Sequence, residues 1–144
     1  MPDLNASADF LAKVPIFRGL KQRQIANLAG SMVPRQYAAG ETIVAQGKEG
    51  IGLFVLVSGS AEVVRTGADG STVTLNVFGP TDFFGELALL DGGPHTAAVI
   101  AKEDTECLVL VHWEFMGKLK ADPEMVTVIM REVVQRFHRA LQAM

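Results

Sequence analysis

The residues of this chain whose types and spacing could do chemistry lie between Phe84 and Ala97. They read Phe84-Gly85-Glu86-Leu87-Ala88-Leu89-Leu90 and then Gly92-Gly93-Pro94-His95-Thr96-Ala97. A Gly-Glu turn running into a short apolar segment predicts a single helical turn whose free N–H groups point outward, and such groups hold small anions. Gly85, Leu87 and Ala88 would act through their backbone. Glycine at 85 permits unusual dihedrals, and a small residue at 88 leaves room for a ligand. Glu86 can start the helical turn, where the macrodipole favours a negative charge. His95 offers one hydrogen bond from one nitrogen, and its charge fades above a pKa of about 6.5. The hydroxyl of Thr96 can donate to an anion, or the residue can simply open a strand.

Other chemistries find no support. His112 and His138 are isolated, and no His, Cys, Asp or Glu cluster has metal-ligand spacing. No nucleophile, base and orienting acid form a recognisable motif, and no Gly-Lys-Ser/Thr follows a glycine run, so the loop is not a Walker loop. The expectation is a protein that is not an enzyme and carries no cofactor or metal. The single cysteine, Cys107, sits in the apolar run Cys107-Leu108-Val109-Leu110-Val111 and reads as a buried, inert thiol. A formal charge of −3 with scattered Lys and Arg argues against direct nucleic-acid binding by this chain.

The elements that must position the loop follow from periodicity. With 144 residues, 49% of them apolar, the chain is expected to form one domain with an ordinary core. No window reaches the roughly 18 uninterrupted apolar residues of a membrane span. The N-terminus lacks the basic flank and apolar core of a signal peptide, which predicts a cytoplasmic protein.

Residues 1–36 read as helical. Phe10, Leu11 and Val14 begin an apolar stripe that stops at Pro15. A second helix over Lys21–Met32 buries Ile25, Leu28, Ala29 and Met32, and Pro34 closes it. Over 37–112 the pattern changes to short strands punctuated by glycine. The candidates are Ile43-Val44, Leu53–Val57, Ala61–Arg65, Thr72–Val77, Thr96–Ala101 and Cys107–Val111. Asp69-Gly70 signals a hairpin, and Val73, Leu75 and Val77 should share one face of a half-buried strand. Many short strands with regular turns imply a sandwich or barrel.

Helix returns over 113–144, first at Glu114–Lys120. Asp122 is the expected N-cap and Pro123 the first position of a helix running to Met144. Val126, Met130, Val133, Phe137, Ala140 and Met144 follow a four-three spacing along it, a short coiled-coil seam. The alternative is that the stripe packs back on its own domain. At about 1.5 Å per residue the helix spans about 30 Å, which leaves its later turns far from such cover and favours a homodimer.

The order Phe-Gly-Glu-Leu-Ala-Leu, a spacer, Pro, a basic position and small residues resembles the phosphate-binding cassette of the cyclic nucleotide-binding domain family. Phe10-Leu11 through Gly19-Leu20, Gly40-Glu41-Thr42-Ile43 with Gly47, and Leu53-Phe54-Val55-Leu56-Val57-Ser58-Gly59 extend the resemblance over nearly the whole chain. It implies a mainly β fold with flanking helices: a double-stranded β-helix, or jelly roll, with N-terminal helices, a short cassette helix and a long C-terminal helix. It implies a regulatory sensor that takes cAMP, cGMP or a related small anion.

Phe84, Gly85, Glu86, Leu87, Ala88, His95 and Thr96 would then surround the ligand. Glu86 would accept a hydrogen bond from the ribose 2′-hydroxyl. Val73 and Leu75 would belong to the base-side wall, and Thr127 could reach the base. The chain departs from the family at His95, where arginine clamps the cyclic phosphate through a permanent, bidentate charge. Three readings stay open: weak cyclic nucleotide binding, a different ligand, or a degenerate cassette in an interaction and dimerisation module. The expectation is a free-standing sensor acting through a protein effector, or a piece of a longer protein.

Overall fold

The structure is a computed structural model that describes residues 4–144, apart from the side chains of residues 4–6 and of Leu87. Two compact units emerge. One comprises Met32–His112, and the other the helices up to Ser31 and from Trp113 onward.

The first unit is a jelly roll of eight strands in two antiparallel sheets. The strands are β1 (Val33–Tyr37), β2 (Thr42–Val44), β3 (Gly52–Ser58), β4 (Ala61–Thr66), β5 (Thr72–Phe78), β6 (Phe83–Phe84), β7 (Ala98–Ala101) and β8 (Thr105–Val111). One sheet runs β1-β8-β3-β6 and the other β2-β7-β4-β5. The hairpin expected at Asp69-Gly70 joins β4 to β5, with Thr66 opposite Thr72. Gly70 takes φ +83°, and the Asp69 carboxylate accepts the Ser71 N–H at 3.0 Å and its hydroxyl at 2.6 Å.

Between the sheets lies a core of Ile43, Val44, Phe54, Leu56, Ala61, Phe84, Val99, Ala101, Cys107 and Val109. The Phe84 ring is stacked between Phe54, at 4.9 Å, and Phe78, at 5.5 Å. Cys107 is buried as expected, and burial pushes its thiol up to about 12, which keeps it protonated and unreactive.

Four expectations need correction. The helical start does not extend to residue 36, because β1 begins at Val33 and carries Pro34 opposite Leu108. β1 pairs with β8 alone, and an edge strand tolerates a residue without an N–H. The two-residue β6 was not expected at all. Thr96 and Ala97 precede β7 rather than open it. Val73, Leu75 and Val77 are not half-buried but 57%, 54% and 49% exposed, since β5 is the edge of its sheet and pairs only with β4.

The second unit contains α1 (Leu4–Ala12), a 3-10 turn at Pro15–Phe17, α2 (Gln22–Ala29), α4 (His112–Ala121) from its second residue onward, and α5 (Pro123–Gln142). Phe17 and Phe115, both fully buried, meet at 5.9 Å. Leu28 and Ala29 are buried on α2 as expected, while Ile25 and Met32 are half-buried.

The interior position next to Leu28 goes to Gln24, whose polar atoms are satisfied. Its Oε1 accepts the Lys21 N–H at 2.8 Å and its Nε2 donates to the Asp122 carboxylate at 3.0 Å. Asp122 is the N-cap residue of α5 and Pro123 takes the first turn, but the carboxylate makes no capping bond. It serves Gln24 and Arg23 instead. Among the described residues, no helix is long and apolar enough to cross a membrane.

Candidate functional site

The cassette is built at the end of β6. Gly85 follows Phe84 with φ +83°, a left-handed turn open to glycine at little cost, and caps α3 (Glu86–Asp91). A Cβ at Gly85 would also run into the carbonyl oxygen of Gly52. The chain leaves α3 at Gly92, φ +67°, whose N–H donates to Ala88 O at 2.8 Å. Asp91 then accepts the Gly93 N–H at 2.7 Å.

Residues 93–95 are laced to the loop before β3. The Gly50 N–H donates to Gly93 O at 2.9 Å, the His95 N–H to Lys48 O at 3.0 Å, and the Gly47 N–H to His95 O at 2.8 Å. Glu49 and Pro94 form an antiparallel bridge between them.

This lacing carries His95 inward. Its Nε2 lies 3.2 Å, and its Cε1 3.7 Å, from the points where a Cβ would stand on Gly50 and on Gly85 respectively. A Cβ on Gly50 would strike the Ala88 methyl and stand 2.8 Å from Gly93 O. The imidazole therefore occupies space that two glycines and an alanine keep open. Its Nε2 is buried and meets no hydrogen-bond partner. Desolvation pushes the His95 pKa below the usual histidine value, because burial disfavours the charged ring. His95 also lines a cavity of about 160 Å³, together with Ile43, Val44, Ala45, Lys48, Glu49 and Ile51.

Of the residues predicted from the sequence, the structure brings together Gly85, Glu86, Ala88 and His95. Glu86 is half-buried in the first turn of α3. Leu87 belongs to α3, and its side chain lies outside the described residues. Phe84 points into the core, so it supports the cassette rather than facing a ligand by its side chain. Thr96 is exposed beside His95. Val73 and Leu75 stand on β5, in the sheet opposite to that of β6. Thr127 is exposed on α5, in the helical unit.

On α5, Val133 is half-buried, and although Ala140 is exposed, the large apolar side chains of the exposed row are Val126, Met130, Val134, Phe137, Leu141 and Met144. The exposed apolar row on α5 thus includes Val134 and Leu141, whereas Val133 of the expected seam is half-buried.

Three contributors were missed. Gly50 leaves room for the ring, and Lys48 holds the His95 backbone through its carbonyl. His112, read as isolated, donates its own N–H to Ile51 O at 2.7 Å and makes a 2.7 Å Nδ1 bond to Leu89 O. It joins α3 to the end of β8. Nothing in local spacing signals these pairings. The glycine run Gly47, Gly50, Gly52 was the one available hint.

Comparison with known proteins bears on what the cassette is. The profile of the cyclic nucleotide-binding domain matches residues 34–122. The cyclic AMP receptor protein of Thermus thermophilus is 34% identical over 109 residues, covering 76% of this chain and 50% of that protein. The CRP-like cAMP-activated global transcriptional regulator of Mycobacterium tuberculosis is 28% identical over 131 residues, covering 91% of this chain and 58% of that protein. The chain thus spans about half the length of these curated relatives. The crystal structure of the N-terminal domain of a transcriptional regulator from Streptomyces coelicolor superposes with a TM-score of 0.86 at 35% identity, covering 94% of each chain.

Proposed function

Because the chain belongs to the cyclic nucleotide-binding domain family, we propose that it is a regulatory domain that takes cAMP, cGMP or a related small anion at the Gly85–Ala88 cassette and signals through its C-terminal helices. The observation that carries this reading is the open backbone around Gly50, Gly85 and Ala88, set beside one carboxylate, Glu86, and one imidazole, His95. Each matches a part of the ligand. The cassette backbone and His95 suit the phosphodiester, and Glu86 suits the ribose hydroxyl.

Signalling requires that the ligand bind two helix arrangements with different affinity. Regulation without catalysis is part of the proposal, as is pairing of two copies through the exposed row on α5. A protein effector and a cytoplasmic setting complete it. Titration calorimetry with cAMP and with cGMP, at about pH 6 and about pH 8, tests the sensor reading across the range in which histidine changes charge. Heat of binding with either nucleotide is expected. Its absence at millimolar nucleotide at both pH values contradicts the reading.

One observation favours a second reading. The His95 ring stands in the space between Gly50 and Gly85. A cassette closed by its own side chain fits an interaction and dimerisation module that has given up the nucleotide. The same titration separates the two.

A further inference from the structure

We infer that the cassette binds its anionic ligand together with one proton, taken up by His95, so that occupancy is set jointly by nucleotide and by pH. This rests on the sensor reading above and specifies the regulation of the same site. The imidazole is held from behind by its own backbone, whose N–H and carbonyl are bonded to Lys48 and Gly47. Its Nε2 is directed between Gly50 and the cassette, buried and without a partner.

A neutral ring with Nε2 unprotonated presents a lone pair there, which opposes an incoming phosphate oxygen. A protonated ring presents N–H donors and a charge at the same place, and a charge-assisted bond to a phosphate oxygen is the stronger kind. The unliganded site disfavours that charge by desolvation. A bound phosphodiester favours it. The proton and the anion therefore each strengthen the binding of the other, as linkage demands.

The charged and titratable groups around the ring are few. Lys48 and Glu49, from the loop before β3, line the same cavity as His95. Glu86 comes from the first turn of α3 and Asp91 from its last, the latter engaged by Gly93. His112 approaches from the start of α4, with Nδ1 committed to Leu89 O. A cyclic phosphodiester keeps its single charge throughout the range in which histidine titrates, so the ligand contributes no proton of its own. His95 is the group among these that has a buried, unpartnered nitrogen at the cassette.

The sign follows. Below the pKa of His95 in the free protein, affinity is flat and at its highest. Between that value and the higher pKa of the complex, affinity falls about tenfold for each pH unit.

The test is calorimetry with cAMP and with cGMP on the wild type, His95→Gln and His95→Arg from about pH 5.5 to about pH 8.5, a span that brackets histidine titration. Each titration is repeated in two buffers of different ionisation enthalpy, so that protons taken up are counted directly. Circular dichroism confirms that each variant is folded.

The expected result is a proton uptake approaching one, a near-tenfold fall per pH unit for the wild type, and flat profiles for both variants. Wild-type binding without proton uptake overturns the inference and leaves the sensor reading standing. A slope that persists in His95→Gln also overturns it, since another group then carries the proton. Binding by His95→Arg alone overturns it as well, because the native ring then excludes the ligand at every pH. Binding by none of the three proteins removes the sensor reading, and the inference with it.

Discussion

Nε2 of His95 lies 3.2 Å from the point where a β-carbon would stand on Gly50, so the ring packs closely against a position without a side chain. The two are 45 positions apart, yet the Gly50–Gly93 hydrogen bond and the Glu49–Pro94 bridge bring them together. The cassette is thus a product of two loops. One contributes helical backbone and a carboxylate, and the other the side-chain-free position at Gly50.

Glu86 should matter for the sugar. Replacing it with Gln keeps the volume and removes the charge. Loss of one charged hydrogen bond, about 1.5–3 kcal/mol, corresponds to a ten- to hundredfold weaker affinity for cAMP. In Glu86→Ala, cAMP and its 2′-deoxy analogue should bind equally, whereas the wild type should prefer cAMP. Competition binding against a fluorescent nucleotide measures both. Equal preference already in the wild type removes Glu86 from the ribose.

Gly85→Ala and Gly70→Ala should separate strain from collision. Both glycines have φ of +83°, and each substitution costs about 1–2 kcal/mol for the left-handed backbone alone. At Gly70 nothing stands within 4 Å of an added Cβ, while at Gly85 it meets Gly52 O. Urea denaturation should therefore show Gly85→Ala to be the more destabilised. Equal losses would mean that the cassette turn relaxes away from β3.

The ligand-free protein should lose stability as the pH falls. The folded state lowers the His95 pKa, so it favours the neutral ring. That contribution is present above the ordinary histidine pKa of about 6.5 and is lost as the pH drops through the lower folded-state value. Between about pH 7.5 and about pH 5.5, a window that spans this titration, the thermal midpoint of the wild type should fall further than that of His95→Gln. Parallel curves would place the ring in solvent.

The exposed row on α5 should pair two copies. Phe137 is 61% exposed and central to it. Sedimentation velocity should show a wild-type dimer and a monomeric Phe137→Asp whose helix content is unchanged. Val133→Asp, at a half-buried position outside the row, should disturb folding more than association. A monomeric wild type would remove the seam.

Much of this architecture was legible because it is local. Asp69-Gly70 specifies its hairpin through one φ and two bonds to Asp69. Gly85 and Gly92 mark the two ends of α3 by positive φ. The six strand candidates fell where strands exist, each of them extended or trimmed by a residue or two.

What was not legible depends on partners distant in sequence. Pro34 reads as a helix stop until β8 is known to pair with β1 on one side only. Alternation along β5 cannot say whether another layer covers Val73, Leu75 and Val77. Asp122 looks like a cap, and only the burial of Gln24, 98 positions earlier, diverts its carboxylate. The inward turn of His95 is of the same kind. Its identity marked a departure from the family, but its place beside Gly50 comes from pairings no spacing records.

The central claim is that a cyclic nucleotide occupies the Gly85–Ala88 cassette beside His95. The most direct measurement is an amide chemical-shift titration of the isotopically labelled protein with cAMP and with cGMP at about pH 6, on the acid side of the ordinary histidine pKa of about 6.5. The account predicts that the largest shifts cluster at Gly50, Gly85–Ala88 and His95–Ala97. A spectrum unchanged at millimolar nucleotide, or shifts centred away from those residues, would contradict it.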